Sequence, residues 1–254
     1  MEAFRLDGLA ALVTGGGSGI GKGISLALAE AGAAVAVHYF ESKSGAEEVA
    51  ATIRNRGGLA VSIQADLKRP GEASRVVEGT VAALERLDIV VNNAGHLVQR
   101  CPVAEMSDDL YRTIMDVNMT TAFSVSRAAL RHMLPRRSGS IINMSSAAAY
   151  SGGGSNATIY ATSKAAIVGF TRGLAKEVGG QGVRVNAVAP GLIGTQFHDR
   201  FSTPESRAQT VRGIPLGREG TPEDVGRTVV FLASPAAAFV TGEVLAINGG
   251  MLFH

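Results

Sequence analysis

The sequence predicts an α/β fold: one doubly wound domain, spanning 1–254, whose seven-stranded, mainly parallel sheet carries helices on both faces. Three observations predict it. Seven short runs rich in Val, Ile, Leu and Ala recur along the chain, as LAALV, AVAV, AVSI, DIVV, SIINM, VRVNAVA and EVLAI. Most are apolar throughout rather than alternating, which suits strands covered on both faces. Helix-like stretches separate them, and a strand–helix–strand repeat makes the strands parallel. At 254 residues the chain is long for one domain but matches an α/β domain with a large core. No low-complexity linker divides it.

The elements can be taken in order. LAALV runs into Thr14-Gly15-Gly16-Gly17-Ser18-Gly19-Ile20-Gly21. Ile24, Ala27, Leu28 and Ala31 then keep helical spacing, and Gly32 stands where such a helix stops. The second strand ends in His38-Tyr39-Phe40, with Glu41 just beyond. Ser107 with Asp108 and Asp109 reads as an N-cap and an acidic first turn. Thr221-Pro222-Glu223-Asp224 combines a cap, a proline at the first helical position and carboxylates. SGGGSN at 151–156 reads as a flexible loop. The stretch 195–217 lacks clear periodicity and carries Phe197, His198, Phe201, Pro204 and Pro215. Long irregular insertions in compact domains tend to be functional, so this one is expected to be a substrate lid.

Composition excludes several classes. The 24 basic and 22 acidic residues are scattered, for a formal charge of +2, without the basic runs of a nucleic-acid or membrane-surface footprint. The densest patch, RHMLPRR, reads as an ordinary helix end. Cys101 is the one cysteine, which rules out an internal disulfide and a multi-thiolate metal site and fits a reducing compartment. Glu2 and the early glycine cluster make the N-terminus neither a secretion signal nor a span, so a cytoplasmic protein is expected. The five histidines include no pair at metal-ligand spacing on a helix, and no metal is expected; His96 and His198 are candidates for a substrate pocket.

Two motifs carry chemistry. A glycine cluster between a first strand and a helix lets the backbone approach a pyrophosphate and donate amides at the helix's positive end. Here the spacing is Gly15-x-x-x-Gly19-x-Gly21, and no register gives Gly-x-Gly-x-x-Gly. Tyr160 and Lys164, four apart on one helix, share a face, so an ammonium can favour the ionised phenol. Tyr39 and Lys43 have the same spacing but no suitable serine upstream, whereas Ser146 follows the apolar strand before Tyr160.

TGGGSGIG at 14–21, Asp66-Leu67, Asn92-Asn93-Ala94-Gly95, Asn118, then Ser146, Tyr160 and Lys164, then Pro190-Gly191-Leu192-Ile193 with Thr195, and finally VTGEVLAINGG occur in one order. In that order they resemble the short-chain dehydrogenases/reductases over essentially the whole chain, which implies a Rossmann-like fold and an NAD(P)-dependent oxidoreductase. The resemblance makes Tyr160 the proton donor. Lys164 would depress its pKa and bind the nicotinamide ribose, Ser146 would hold the substrate oxygen, and Asn118 would anchor a relay water. It places the cofactor on Gly15, Gly17, Ser18, Gly19, Ile20, Gly21 and Tyr39, with Asp66 and Leu67 at the adenine and the Asn93, Ala94 and Gly95 backbone along the adenosine side. Pro190, Gly191, Ile193 and Thr195 would close on the carboxamide.

Departures from the family pattern qualify this. Ser146 precedes Tyr160 by fourteen residues, one more than the common spacing, so either the loop SGGGSNATI has an insertion or Ser145 is the working serine; Ser146 is preferred. No acid ends the second strand, which leans the cofactor toward NADP(H) over NAD(H), with Lys22 or Lys43 as sources of charge. Asn248 stands where many relatives carry Asp, at a place that concerns assembly.

The resemblance is nearest to 3-oxoacyl-thioester reductases, with Arg131 and Lys176 where those carry basic residues for an acidic carrier protein. Similarity to bacterial glucose dehydrogenases makes a sugar or polyol dehydrogenase the alternative. A non-catalytic nucleotide sensor or scaffold is the alternative from another class. The substrate expected is a small carbonyl or alcohol. A homotetramer built on helices near 109–134 and 157–178 and the last strand is expected.

Overall fold

The computed structural model describes residues 2–253, apart from the side chains of 198–200. All seven apolar runs form strands: β1 Ala10–Val13, β2 Ala34–Tyr39, β3 Ala60–Gln64, β4 Ile89–Asn92, β5 Gly139–Met144, β6 Val183–Pro190 and β7 Val244–Ile247. They make one sheet in the order β3-β2-β1-β4-β5-β6-β7, and every pairing is parallel. The chain winds outward from β1 to β3, then crosses back to lay β4 on the other side of β1. Such a reversal opens a crevice beyond the carboxyl ends of the two central strands, where doubly wound sheets bind ligands.

The continuous apolar strands are continuous because both faces are covered. In β1, Ala11 and Val13 enter one core with Ile24, Leu28, Val49 and Val229, while Ala10 and Leu12 enter the other with Val76, Val125 and Met133. Helices α1 Gly19–Glu30, α2 Lys43–Asn55 and α3 Glu72–Leu84 alternate with the first strands. Next come α4 Asp108–Met115, a π-helical turn at Asp116–Thr120, and α5 Thr121–Arg136. Short α6 Ala148–Ser151 and long α7 Thr158–Val178 follow β5; α8 Gln196–Phe201, α9 Pro204–Arg212 and α10 Pro222–Ala233 lie between β6 and β7.

The expected caps form. Ser107 Oγ accepts the Leu110 N–H at 3.2 Å. Thr221 Oγ1 accepts the Asp224 N–H at 3.3 Å while Asp224 Oδ2 accepts the Thr221 N–H at 2.9 Å. The Arg218 guanidinium, bonded to Asp224, holds that carboxyl down to about 2.

One expectation is corrected. The stretch 195–217, read as irregular, is largely helical. Its helices are six and nine residues long, and α9 buries no residue, so it shows no periodic apolar face. The start of α9 was legible nonetheless: Thr203 Oγ1 accepts the Ser206 N–H at 3.2 Å ahead of Pro204, as Thr221 does ahead of Pro222. The excursion is pinned at its base, where Gly194 N–H donates to Gly220 O and Gly220 N–H to Leu192 O, both at 2.9 Å.

Candidate active site

A cleft of about 630 Å³ opens beyond the ends of β1, β4 and β5. At one end lies the glycine turn. Gly16 N–H donates to His38 O at 2.9 Å, and Gly15 N–H donates to His38 Nδ1 at 3.1 Å. The other ring nitrogen lies 3.2 Å from Ala65 O, so Nε2 carries the proton. Burial holds this imidazole down to about 4, neutral and able to accept at ordinary pH.

The Asn93 amide donates to Thr14 O at 2.9 Å and Gly15 O at 3.1 Å, and Ala94 N–H donates to Thr14 Oγ1 at 2.9 Å. Asn-Asn-Ala-Gly after β4 therefore laces the turn after β1. A Cβ on Gly21 would overlap the Gly15 carbonyl and stand 2.6 Å from Asn93 Nδ2, so α1 can pack this close only with glycine there. Ser18 makes no side-chain cap bond, which leaves the first amides of α1 facing the cleft. An uncapped helix start behind a glycine turn fits the pyrophosphate of a dinucleotide.

At the other end Ser146, Tyr160 and Lys164 line the same cleft. The two serines separate by their bonds. Ser145 is buried and its Oγ donates to Lys164 O at 2.9 Å, whereas the Ser146 hydroxyl meets the Tyr160 phenol and lowers its pKa. Between Ser146 and Tyr160 the chain turns after α6 at Gly152 and Gly153, which both take φ of 79°.

The expected depression of the phenol by Lys164 is not what this structure shows. Burial, outweighing the Ser146 bond, pushes Tyr160 up to about 12. Lys164 Nζ lies 5.8 Å from the ring centroid and donates to Met144 O at 3.0 Å. Burial likewise holds Lys164 down to about 8.

Asn118 sits in the π-turn, 1% exposed and one layer behind the cleft wall. Its Nδ2 donates to Ile114 O and His96 O, both at 2.8 Å, and its Oδ1 accepts the His96 N–H at 3.2 Å. The extra helical residue, which the sequence pattern concealed, turns this amide away from the regular helix track. A Cβ on Gly95 would lie 2.7 Å from Asn118 Oδ1 and 3.0 Å from Lys164 Nζ, so these two polar atoms converge on one spot that only glycine leaves open.

Gly15, Ser18, Gly19, Ile20, Gly21, Asn93, Ala94, Gly95, Pro190, Gly191, Ile193 and Thr195 line the cleft with the catalytic candidates. Other predicted positions lie outside its lining. Gly17 lies against Ala46 of α2, Tyr39 packs on the hydrophobic core, Asp66 accepts the Lys68 N–H at 3.1 Å, and Leu67 is buried in the second core. Asn248 closes the C-terminal turn by accepting the Gly250 N–H at 3.0 Å and donating to Leu252 O at 2.8 Å.

His96 lines the cleft, where its ring centroid is 5.3 Å from Phe201 and 6.4 Å from Phe197. The His198 side chain lies outside the described residues. Sequence reasoning missed three cleft residues with polar or charged groups: Glu41, Arg100 and Gln196. It also counted on two lysines that are engaged elsewhere, Lys22 with Glu48 at 2.8 Å and Lys43 with Glu47 at 3.7 Å.

A parallel doubly wound sheet, an open helix start at its switch point and a Ser146, Tyr160 and Lys164 group at the far end of one cleft define a dinucleotide-dependent oxidoreductase. A profile described as enoyl-(acyl carrier protein) reductase matches residues 15–252. The chain belongs to the short-chain dehydrogenase/reductase family. It is 38% identical over 243 residues to the 3-oxoacyl-[acyl-carrier-protein] reductase of Synechocystis sp., covering 95% of this chain and 96% of the relative. Among solved structures it is similar to a protein of Beutenbergia cavernae provisionally named an NAD(P)-dependent gluconate 5-dehydrogenase, with bound NADP at low occupancy. That match is 42% identical with a TM-score of 0.92 and covers 98% of each chain. It is also similar to a 7α-hydroxysteroid dehydrogenase complexed with NADH and 7-oxo glycochenodeoxycholic acid, at 34% identity and a TM-score of 0.93, covering 98% of this chain and 96% of that one. The protein is thus an NAD(P)-dependent oxidoreductase acting on hydroxyl and carbonyl groups.

Proposed function

We propose that the protein reduces a ketone, or oxidises the matching secondary alcohol, with Tyr160 moving the proton. The observation that carries this reading is the meeting of Ser146, Tyr160 and Lys164 at one end of a cleft whose other end is the uncapped start of α1. When bound, the nicotinamide exchanges the hydride and, in its oxidised form, brings a positive charge to that end of the cleft. Ser18, Gly19 and Ile20 would donate amides to the pyrophosphate. Gly15, Gly17 and Gly21 would shape the turn; the Asn93 to Gly95 backbone would flank the adenosine, with Tyr39, Asp66 and Leu67 just outside the cleft lining beside it; Pro190, Gly191, Ile193 and Thr195 would flank the carboxamide.

In the reducing direction the Ser146 hydroxyl donates a hydrogen bond to the substrate oxygen and fixes it for transfer. The Tyr160 phenol, held protonated by burial, gives its proton to that oxygen. Lys164, with a pKa of about 8, is largely charged at neutral pH and supplies a proton back toward the phenol. Asn118, behind Gly95, holds the relay water that joins Lys164 to solvent. Replacing Tyr160 by Phe tests this scheme. Turnover should vanish while nicotinamide binding, followed by fluorescence, persists; unchanged turnover refutes it.

The favoured substrate is a 3-oxoacyl thioester, by similarity to the Synechocystis reductase and with Arg131 and Lys176 exposed on α5 and α7 to meet an acidic carrier. The alternative is a sugar-acid or polyol, favoured by similarity to the Beutenbergia protein. Cofactor choice is more even than the missing strand-two acid suggested: Glu41 lines the cleft, and Lys22 and Lys43 are each paired on α2. We take 195–217 to be the lid, since Phe197 lies 6.1 Å from the Tyr160 ring. A cytoplasmic homotetramer completes the proposal; exposed Tyr111 and Phe123 on α4 and α5 support the helical interface, and light scattering tests it.

A further inference from the structure

We infer that Arg100 forms an anion subsite at the substrate end of the cleft, so that the preferred substrates are ketones or secondary alcohols carrying a carboxylate or phosphate. This rests on the hydride-transfer reading above and narrows it.

Arg100 lies beyond the Asn-Asn-Ala-Gly turn, exposed on the cleft rim, and lines the cleft together with His96, Phe197 and Phe201. Two backbone carbonyls aim its guanidinium: Nη1 donates to Ser155 O at 2.7 Å and Nη2 to Phe201 O at 3.2 Å. One carbonyl belongs to the loop before α7 and the other ends α8. Both acceptors are neutral, and among the described residues no carboxylate pairs with Arg100. A guanidinium has five N–H donors in a planar fork, so two bonds to carbonyls orient it and leave donors for a ligand.

The loop makes room for it. A Cβ on Gly154 would stand 3.3 Å from Arg100 Nη1, so the glycine-rich loop between Ser146 and Tyr160 lies against this guanidinium. Among the described residues, the charged ones lining the cleft are Glu41, Arg100 and Lys164. Glu41 follows β2, two strands away from β4 and across β1, at the adenosine end. Among the described residues the substrate end therefore carries two cations and no acid. Phe197 and Phe201, with ring centroids 5.1 Å apart, supply an apolar wall for a carbon chain between the reacting carbon and the anion. A planar fork matches a carboxylate or a phosphate in two-point geometry, and such charge-assisted bonds are about twice as strong as neutral ones.

The carboxylate and phosphate sources are separated by paired substrates, each an anion and its uncharged counterpart, assayed with the full-length protein and saturating nicotinamide cofactor. One pair is 5-keto-D-gluconate and L-sorbose. The other is 3-oxobutyryl-CoA and 3-oxobutyryl-N-acetylcysteamine. In at least one pair kcat/KM should favour the anion about tenfold or more, and Arg100→Gln should cut that ratio by about ten- to a hundredfold.

Arg100→Lys, which keeps the charge without the fork, should fall between. Because Arg100 is exposed, the wild-type preference should also shrink as salt is raised. A response in the first pair alone identifies the carboxylate, and in the second alone the phosphate. Equal kcat/KM for both members of each pair overturns the inference. So does a loss in Arg100→Gln that is the same for charged and uncharged substrates, since a mere strap between the loop and α8 would act on both alike. Turnover of none of the four would instead overturn the hydride-transfer reading beneath it.

Discussion

Replacing Lys164 by Met should make the cofactor-free protein more stable while removing its activity. Lys164 is 5% exposed, and burial lowers its pKa from 10.5 to about 8, a difference worth about 3 kcal/mol. Below pH 8 the ammonium is charged in both the folded and the unfolded chain, and folding bears that whole cost. Between about pH 8 and 10 the unfolded chain binds more protons than the native one, so stability rises with pH, by at most about 1.4 kcal/mol per pH unit. Methionine removes the charge but leaves Met144 O without its donor, a loss of about 1 kcal/mol.

The net gain at pH 7 is therefore about 2 kcal/mol, or roughly 4–8 °C in melting temperature for a chain of this size. Tyr160 acts with the opposite sign only above about pH 10, where the unfolded phenol ionises while the native one, near 12, does not. Urea denaturation followed by circular dichroism at pH 7, 8, 9 and 10 reads the Lys164 effect and stays below the Tyr160 one. The wild type should gain stability across that range and the variant should stay flat. A variant no more stable than wild type at pH 7, or a wild type flat from pH 8 to 10, would refute the burial argument.

Gly95→Ala places a methyl 2.7 Å from Asn118 Oδ1 and 3.0 Å from Lys164 Nζ; moving these groups by about 1 Å should cost on the order of a hundredfold in kcat, read in a steady-state assay. Glu41→Gln should raise the NADPH-to-NADH ratio of kcat/KM by about tenfold, the repulsion between a carboxylate and a ribose phosphate about 6 Å apart in water. An unchanged ratio would mean that Glu41 faces away from the ribose. Thr221→Ala removes the hydroxyl that accepts the Asp224 N–H at the start of α10, while the backbone N–H at 221 keeps its bond to Asp224, and should lower unfolding free energy by about 1 kcal/mol in urea titrations.

Much was legible in local pattern. Most of the seven apolar runs that became strands lack alternation because a sheet covered on both faces buries nearly every residue of β1, β4, β5 and β6, whereas the edge strands β3 and β7 are only partly buried. Ser107 and Thr221 were legible as caps because a cap bonds to an amide within three residues. The order Ser146, Tyr160, Lys164 was legible because a helical four-residue spacing fixes two side chains on one face. The body of α9 was not, since a helix that buries nothing has no period to read.

What pattern could not carry is direction and company. Ser145 and Ser146 are adjacent in sequence, yet one hydroxyl faces the α7 backbone and the other the phenol, a choice made by how α7 packs on β5. The partners of His38, Asn93 and Arg100 have no local signature, since each side chain bonds to atoms 23 to 101 residues away. Tyr160 and Lys164 line one cleft, but the expected sign of the phenol's shift is not the one found, because burial depends on elements far along the chain while spacing reports only the neighbour. Fold class and the identity of the chemical groups follow from local sequence, since burial and helical geometry repeat over a few residues. The charges, bonds and room around those groups follow from parallel strands that bring distant segments to one end of the sheet.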